Sequence, residues 1–230
     1  MKWDDSMSKK RIFIYLACLF LALAIIWTIL VVKGVFNQID EKIVNWVVGF
    51  RGDKYNFLYW LARIITEGAY VYFIIPFLIL IIVIYHCDLK SIILAIGTLF
   101  QLLVNTIIKS IIKRPRPNEM YHWMVETSAS FPSGHSMTSS FLYGMLIYVL
   151  LKSNISKRRK IILSIISGIM IFMVCSSRII LSVHYTSDVI GGILWGGCLV
   201  MVGGLFNELF EHKWNGFKPL IDKKLVGDNK

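Results

Sequence analysis

"IFIYLACLFLALAIIWTILVV", residues 12–32, carries no charged side chain, and a run of about 20 apolar residues is long enough as a helix to cross a hydrocarbon layer. A chain inside lipid has to close its own backbone hydrogen bonds, so the stretch reads as α-helix rather than strand. Lys9, Lys10 and Arg11 precede it, as in a secretory leader. However, the run is long and lacks a small-residue exit, so it reads as a retained first helix that both targets and anchors.

Outward from this run the pattern recurs. Of the 230 residues 56% are hydrophobic, above the roughly 45–50% of soluble domains, so apolar surface must meet something besides the protein's own core. Six apolar segments predict membrane helices, near 12–32, 69–86, 91–112, 134–152, 161–181 and 184–206. The fold class is all-α: one domain over 1–230, a six-helix membrane bundle with its core over 69–206 and a cytoplasmic tail over about 207–230. Between the first two helices Ile39, Ile43, Val44, Trp46 and Val47 recur at near-helical spacing among charges. They predict an interfacial amphipathic segment, or one packed inward as a lid.

A net charge of +11 collects beside the apolar runs without a recognition module, which argues for membrane lipids and against nucleic acid. Lys2, Lys9–Arg11, Lys90, the 152–160 loop and Lys213, Lys218, Lys223 and Lys224 fall on one side of a six-helix count. That side is expected to be cytoplasmic, with both termini there, in a multi-pass plasma-membrane protein. Cys18, Cys87, Cys175 and Cys198 stand singly, so they read as small buried hydrophobes rather than zinc ligands or disulfides. Gly191–Gly192, Gly196–Gly197 and Gly203–Gly204 allow close packing of the sixth helix, expected within the chain. The oligomeric state is open.

Against this trend Lys109, Lys113, Arg114, Arg116 and Arg178 gather at the outward border, with Ser133, His135 and His184. Charges at membrane depth point to function, although Lys113 and Arg114 could equally reach for headgroups. In "KSIIKRPRP" (109–117) Pro115 and Pro117 should stop the helix and aim Arg116 back over Lys109. In "FPSGHSM" (131–137) Ser133 is a natural N-cap, and Gly134 lets an oxyanion approach the helix start. His135 follows in the first turn, within reach of whatever the anion is esterified to. In "SRIILSVHYTSD" (177–188) Arg178 suits phosphate. His184 and Asp188 stand at i and i+4, so the carboxylate can accept from one ring nitrogen and leave the other free to attack. His86 and His212 read as solvated, and His122 as an outer-loop residue that could graze substrate.

Lys109 with six residues before Arg116-Pro117, then Pro132-Ser133-Gly134-His135, then Ser177-Arg178 with five residues before His184 and three before Asp188, resembles the three-part signature of the type 2 phosphatidic acid phosphatase superfamily. The resemblance implies a six-helix membrane phosphatase with its site at the outer, extracytoplasmic face. It implies His184 as nucleophile, Asp188 as its orienting partner and His135 as general acid. Lys109, Arg116, Ser133, Gly134 and Arg178 would hold the phosphate.

The donor set predicts catalysis with no metal and no cofactor. Phosphoryl transfer requires charge stabilisation on the equatorial oxygens, and the border offers Lys109, Arg116 and Arg178 against Asp188, Glu119, Glu126 and Glu67. The expected substrate is a lipid phosphate or diphosphate: undecaprenyl pyrophosphate, phosphatidylglycerophosphate or phosphatidic acid. A phosphotransferase of the same superfamily would carry the same signature. An anion transporter would explain the cations but neither histidine, and a haloperoxidase does not fit a site against lipid.

Overall fold

A computed structural model describes residues 3–67, 71–84 and 88–214. Among these every regular element is a helix: α1 (Trp3–Val32), α2 (Asn37–Arg51), α3 (Phe57–Glu67), α4 (Val71–Ile84), α5 (Leu89–Ile112), α6 (Gly134–Lys152), α7 (Lys157–Ile180) and α8 (Thr186–Phe210), with short 3-10 turns at Glu119–Tyr121 and Glu211–Lys213. His86, Cys87, Lys218, Lys223 and Lys224 lie outside the described residues.

Among the described residues four helical stretches are long and apolar enough to cross a membrane: Lys10–Val32, Leu89–Ile112, Lys157–Ile180 and Thr186–Lys213. The two other expected spans differ for separate reasons. The described part of the second is the 14-residue α4. The fourth, α6, is polar along much of its first half, where Ser136, Thr138, Ser139 and Ser140 are all buried. It sits at the centre of the bundle, packed by α5, α7 and α8, so its surface meets helices instead of lipid and need not be apolar. Large apolar side chains on α1, α5 and α7, such as Tyr15, Ile111 and Phe172, stay exposed on the outside of the bundle, as a lipid-facing belt requires. Cys18 belongs to that exposed surface, whereas Cys175 and Cys198 are buried as expected.

The approach of α8 to α6 is built from glycine. A Cβ added at Gly192 would lie 2.7 Å from the Ser133 carbonyl oxygen, and one at Gly196 would lie 2.7 Å from that of Met137. The opposite edge of α8 meets α1, where Gly197 and Gly204 lie under Phe20 and Phe13. The glycine stripe thus serves packing inside the chain. Gly192→Ala is expected to force α6 from α8 and to destabilise the protein by about 1–3 kcal/mol, the usual scale for overpacking, read as a lower midpoint of thermal unfolding in detergent.

The segment between α1 and the bundle is more deeply used than its amphipathic pattern suggests. Ile39 and Trp46 of α2 are exposed, while the buried stripe is Asp40, Val44, Val47 and Arg51. Arg51 stacks 4.2 Å over the Trp123 ring and donates to the Ile180 carbonyl and the Ser182 hydroxyl, pinning the end of α2 to the α7–α8 turn. The tail also begins later than expected, since α8 continues to Phe210 with Asn207 buried.

Candidate active site

α5 and α7 end, and α6 and α8 begin, at the same end of the bundle, which brings three distant stretches of sequence together. Pro115 acts as expected: α5 stops at Ile112, and Lys113 adopts a left-handed conformation with φ 49°. Ser133 caps α6 by accepting from the Ser136 N–H at 3.4 Å, and its own N–H donates to the Asp188 carbonyl at 3.1 Å. The starts of α6 and α8 are therefore fastened to each other.

A cavity of about 590 Å³ opens there, with Lys109, Arg116, Gly134, His135 and His184 in its wall. Five of the eight residues singled out from the sequence share that wall. Ser133, Asp188 and Arg178 stand behind it. His184 lies in the turn between α7 and α8 and is almost fully buried. Its Nε2 faces the Arg116 guanidinium at 3.2 Å, and its Nδ1 faces inward.

The inward side corrects the expected histidine–carboxylate hydrogen bond. His184 precedes α8, while Asp188 sits in its first turn and accepts from the Tyr185 N–H at 2.9 Å, so the two do not share a helical face. The Nδ1 to Asp188 Oδ2 separation is 3.7 Å, beyond the reach of a hydrogen bond. Ser130 stands between them: its hydroxyl donates to Asp188 Oδ2 at 2.5 Å and lies 3.4 Å from His184 Nδ1.

Burial, with Arg116, Arg178 and Lys109 nearby, holds the His184 pKa well below the ordinary imidazole value. Losing the stabilisation of water disfavours the charged ring, and three cations disfavour it further. The ring is therefore neutral, and its Nε2 lone pair accepts from the Arg116 guanidinium, which can only donate.

The cations are held by neighbours that the signature leaves out. Lys109 donates to the Ala129 carbonyl, and Arg116 to those of Ser128 at 2.8 Å and Val183 at 2.5 Å. Arg178, fully buried, donates to Thr66 of α3 at 3.1 Å and pairs with Glu126. Glu126 also lies 3.5 Å from Arg116, so one carboxylate sits between the two guanidinium groups. Arg114 does not reach for headgroups: only 9% of its side chain is exposed, and it bonds Asp188 at 2.6 Å and Asp40 at 2.9 Å. Lys113, by contrast, is exposed. His122 turns away from the cavity, its ring nitrogen 3.0 Å from the Pro117 carbonyl, and His212 is exposed. Sequence reasoning missed Asp40, Ser130 and Thr66 altogether. For Asp40 a signal existed, because it recurs with Val44, Val47 and Arg51 on one helical stripe.

Among the described residues no group of three or more His, Cys, Asp or Glu side chains is placed to hold a metal ion. The charged side chains in the cavity wall are Lys109, Lys113 and Arg116, with the Glu126 carboxylate among them.

Known proteins resemble this chain in sequence and in fold. The chain is 38% identical over 110 residues to phosphatidylglycerophosphatase B of Bacillus subtilis, covering 46% of this chain and 52% of the relative. It is 30% identical over 138 residues to dolichyldiphosphatase of Saccharomyces cerevisiae, covering 55% and 57%. The matches thus span about half the length of these curated relatives. A crystal structure described as the first transmembrane PAP2 type phosphatidylglycerolphosphate phosphatase, from Bacillus subtilis, superposes with a TM-score of 0.74 at 27% identity, covering 85% of this chain and 97% of that one. Residues 90–207, which carry all three convergent stretches, match the PAP2 superfamily, and the chain belongs to it.

Proposed function

We propose that the protein is a membrane-embedded lipid phosphatase that removes phosphate from a lipid phosphate or diphosphate through a phosphohistidine on His184, without a divalent ion. The observation that carries this reading is the neutral His184, its Nε2 3.2 Å from Arg116 in the wall of a cavity shared with Lys109 and His135. The lipid character of the substrate rests on the other wall. Leu102, Thr106 and Ser110 line it at one-turn intervals and are exposed on the flank of α5, so a headgroup can enter sideways while its tails stay in lipid. The names of two relatives, which specify phosphatidylglycerophosphate and dolichyl diphosphate, support a reading that includes both monoesters and diphosphates; undecaprenyl pyrophosphate and phosphatidic acid belong to the same class.

In this reading α4 and α6 complete six crossings. The 19 residues of α6 reach about 28 Å at 1.5 Å per residue, and the site faces away from the cytoplasm, with both termini inside.

The His184 Nε2 lone pair attacks phosphorus in line, and the bond from phosphorus to the leaving oxygen breaks. His135, which takes up a proton as the phosphate anion enters beside it, gives that proton to the leaving oxygen. Water then attacks the phosphohistidine with His135 as base, releasing phosphate and restoring the ring. The Glu126 carboxylate occupies the position between Arg116 and Arg178 that a phosphate oxygen takes in the complex.

The deciding experiment is phosphate release by the purified protein from a panel of these lipids in excess EDTA, with His184→Ala as control. Release in EDTA that disappears in the control is expected; release that needs added metal overturns the reading. In the same panel His135→Ala is expected to slow monoesters far more than diphosphates, because a lipid alkoxide leaves poorly without a proton and a phosphate leaves well. Equal losses on both classes would remove the general-acid role.

A pH profile follows from His184. A nucleophile whose pKa is held down stays neutral into acid, so the acid limb of kcat/KM is expected below the ordinary imidazole value of about 6.5. The same shift acts on stability. Below about pH 6.5 the unfolded chain takes up a proton that the buried ring refuses, so His184 favours unfolding as the pH falls through that value.

A further inference from the structure

α2 lies outside the matched residues 90–207, yet it is wired to the reacting histidine. Asp40 is buried on its inner stripe, with 2% of its side chain exposed, and holds one end of the Arg114 guanidinium at 2.9 Å. The other end holds Asp188 Oδ1 at 2.6 Å, and Asp188 has no exposed side-chain surface. Asp40 is itself fixed by the start of α8, accepting from the Ser187 N–H at 3.1 Å and from the Ser187 hydroxyl. Arg114 also lies 4.6 Å over the Tyr185 ring.

From this geometry we propose that Arg114 and Asp40 are positioning residues for His184: Arg114 keeps the buried Asp188 ionised and turned toward the imidazole, and Asp40 keeps Arg114 in place. The proposal rests on His184 being the nucleophile, as in the reading above. A carboxylate without access to water takes up a proton unless a cation compensates it. Asp188 has two oxygens with divided duties. Oδ1 is given to Arg114, while Oδ2 accepts from Ser130 and the Tyr185 N–H and faces His184. Removing Arg114 removes both the cation and the anchor that sets this division.

The charges around the chain identify Arg114 as the compensating group. Lys109 of α5 and Arg116 of the following loop interact with Asp188 at longer range, but both also serve the cavity wall. Glu41 of α2 bonds the Tyr185 hydroxyl at 3.2 Å, on the far side of the ring. Burial acts to lower the Arg114 pKa, but Asp188 and Asp40 outweigh it and raise the value, so Arg114 stays charged throughout the working range. Sharing Arg114 between two carboxylates also ties the placement of α2 to the geometry of the site.

The test is the pH dependence of kcat/KM in Arg114→Met and Asp40→Asn, with phosphatidylglycerophosphate in mixed micelles. Without the guanidinium the buried Asp188 carboxylate loses its compensating cation and takes up a proton more readily, so this second protonation, in place of the one on His184, sets the acid limb and moves it up. Activity below the limb is expected to fall at least about tenfold, to recover as the pH rises, and to leave KM nearly unchanged. Asp40→Asn is expected to shift the limb in the same direction by less. In an Asp188→Asn background, Arg114→Met is expected to cost nothing further. Should Arg114→Met not fold, Arg114→Lys puts a single-point charge in place of the fork and is expected to give a smaller shift of the same sign. A loss of equal size at every pH, or an unmoved limb in a folded variant, overturns the proposal. That outcome is separate from failure of the phosphohistidine reading, which would show as full activity in His184→Ala.

Discussion

His184→Ala is expected to lower phosphate release by about four to six orders of magnitude, the scale seen when a nucleophile is removed from a catalytic unit. The imidazole has no substitute in the cavity wall. His135 is in the first turn of α6, where the proposed mechanism gives it the leaving group, Lys109 is turned onto the Ala129 carbonyl, and guanidinium groups carry no nucleophilic lone pair. The cations that would hold the phosphate do not depend on the ring: Lys109 is held by the Ala129 carbonyl and Arg116 by Ser128 and Val183. Inorganic phosphate should therefore inhibit the wild type and protect His184→Ala against unfolding at similar concentrations. Single-turnover phosphate release and a phosphate-dependent thermal shift check the two halves. Residual turnover within about tenfold of wild type would remove His184 from the nucleophile role.

Arg178→Ala is expected to reduce kcat by about a hundred- to a thousandfold, comparable to the loss of one preorganised donor to a developing charge. Here the effect has two parts. The fully buried guanidinium is a fixed positive charge beside the cavity, and it also compensates Glu126, which would be left to Arg116 alone. An under-compensated Glu126 competes for Arg116 with the substrate phosphate, so KM should rise as kcat falls. Arg178→Lys is not expected to restore activity, because one ammonium cannot span Thr66 and Glu126 as the planar fork does. Adding Glu126→Gln to Arg178→Ala should recover KM but not kcat, which steady-state kinetics on one lipid substrate would show.

The parts of the molecule that were legible from sequence share one property: their signals are local. The apolar run at 12–32 requires a helix because lipid offers the backbone no partners. Pro115 ends α5 through the chain preceding it, and Ser133 caps α6 through its own next turn. The eight signature residues could be named because spacing in the chain preserves them, and five now share one cavity wall while the other three support it from behind.

What escaped was decided over long separations. Arg114 sits next to Lys113, and nothing local distinguishes a residue that reaches for headgroups from one that bridges Asp40 and Asp188, each 74 residues away along the chain. The direction in which α2 turns its charged stripe depends on partners in the α7–α8 turn. Nor does the i, i+4 spacing of His184 and Asp188 reveal that Ser130, 54 residues before the histidine, stands between them.

The amino-acid order by itself determined a helical membrane protein of this superfamily and marked the residues that gather at one end of the bundle, since periodicity, caps and spacing act within a few turns of chain. Only the tertiary structure decided which buried charge compensates which. A buried carboxylate requires a cation wherever the fold can bring one close, and the packing of whole helices sets that distance.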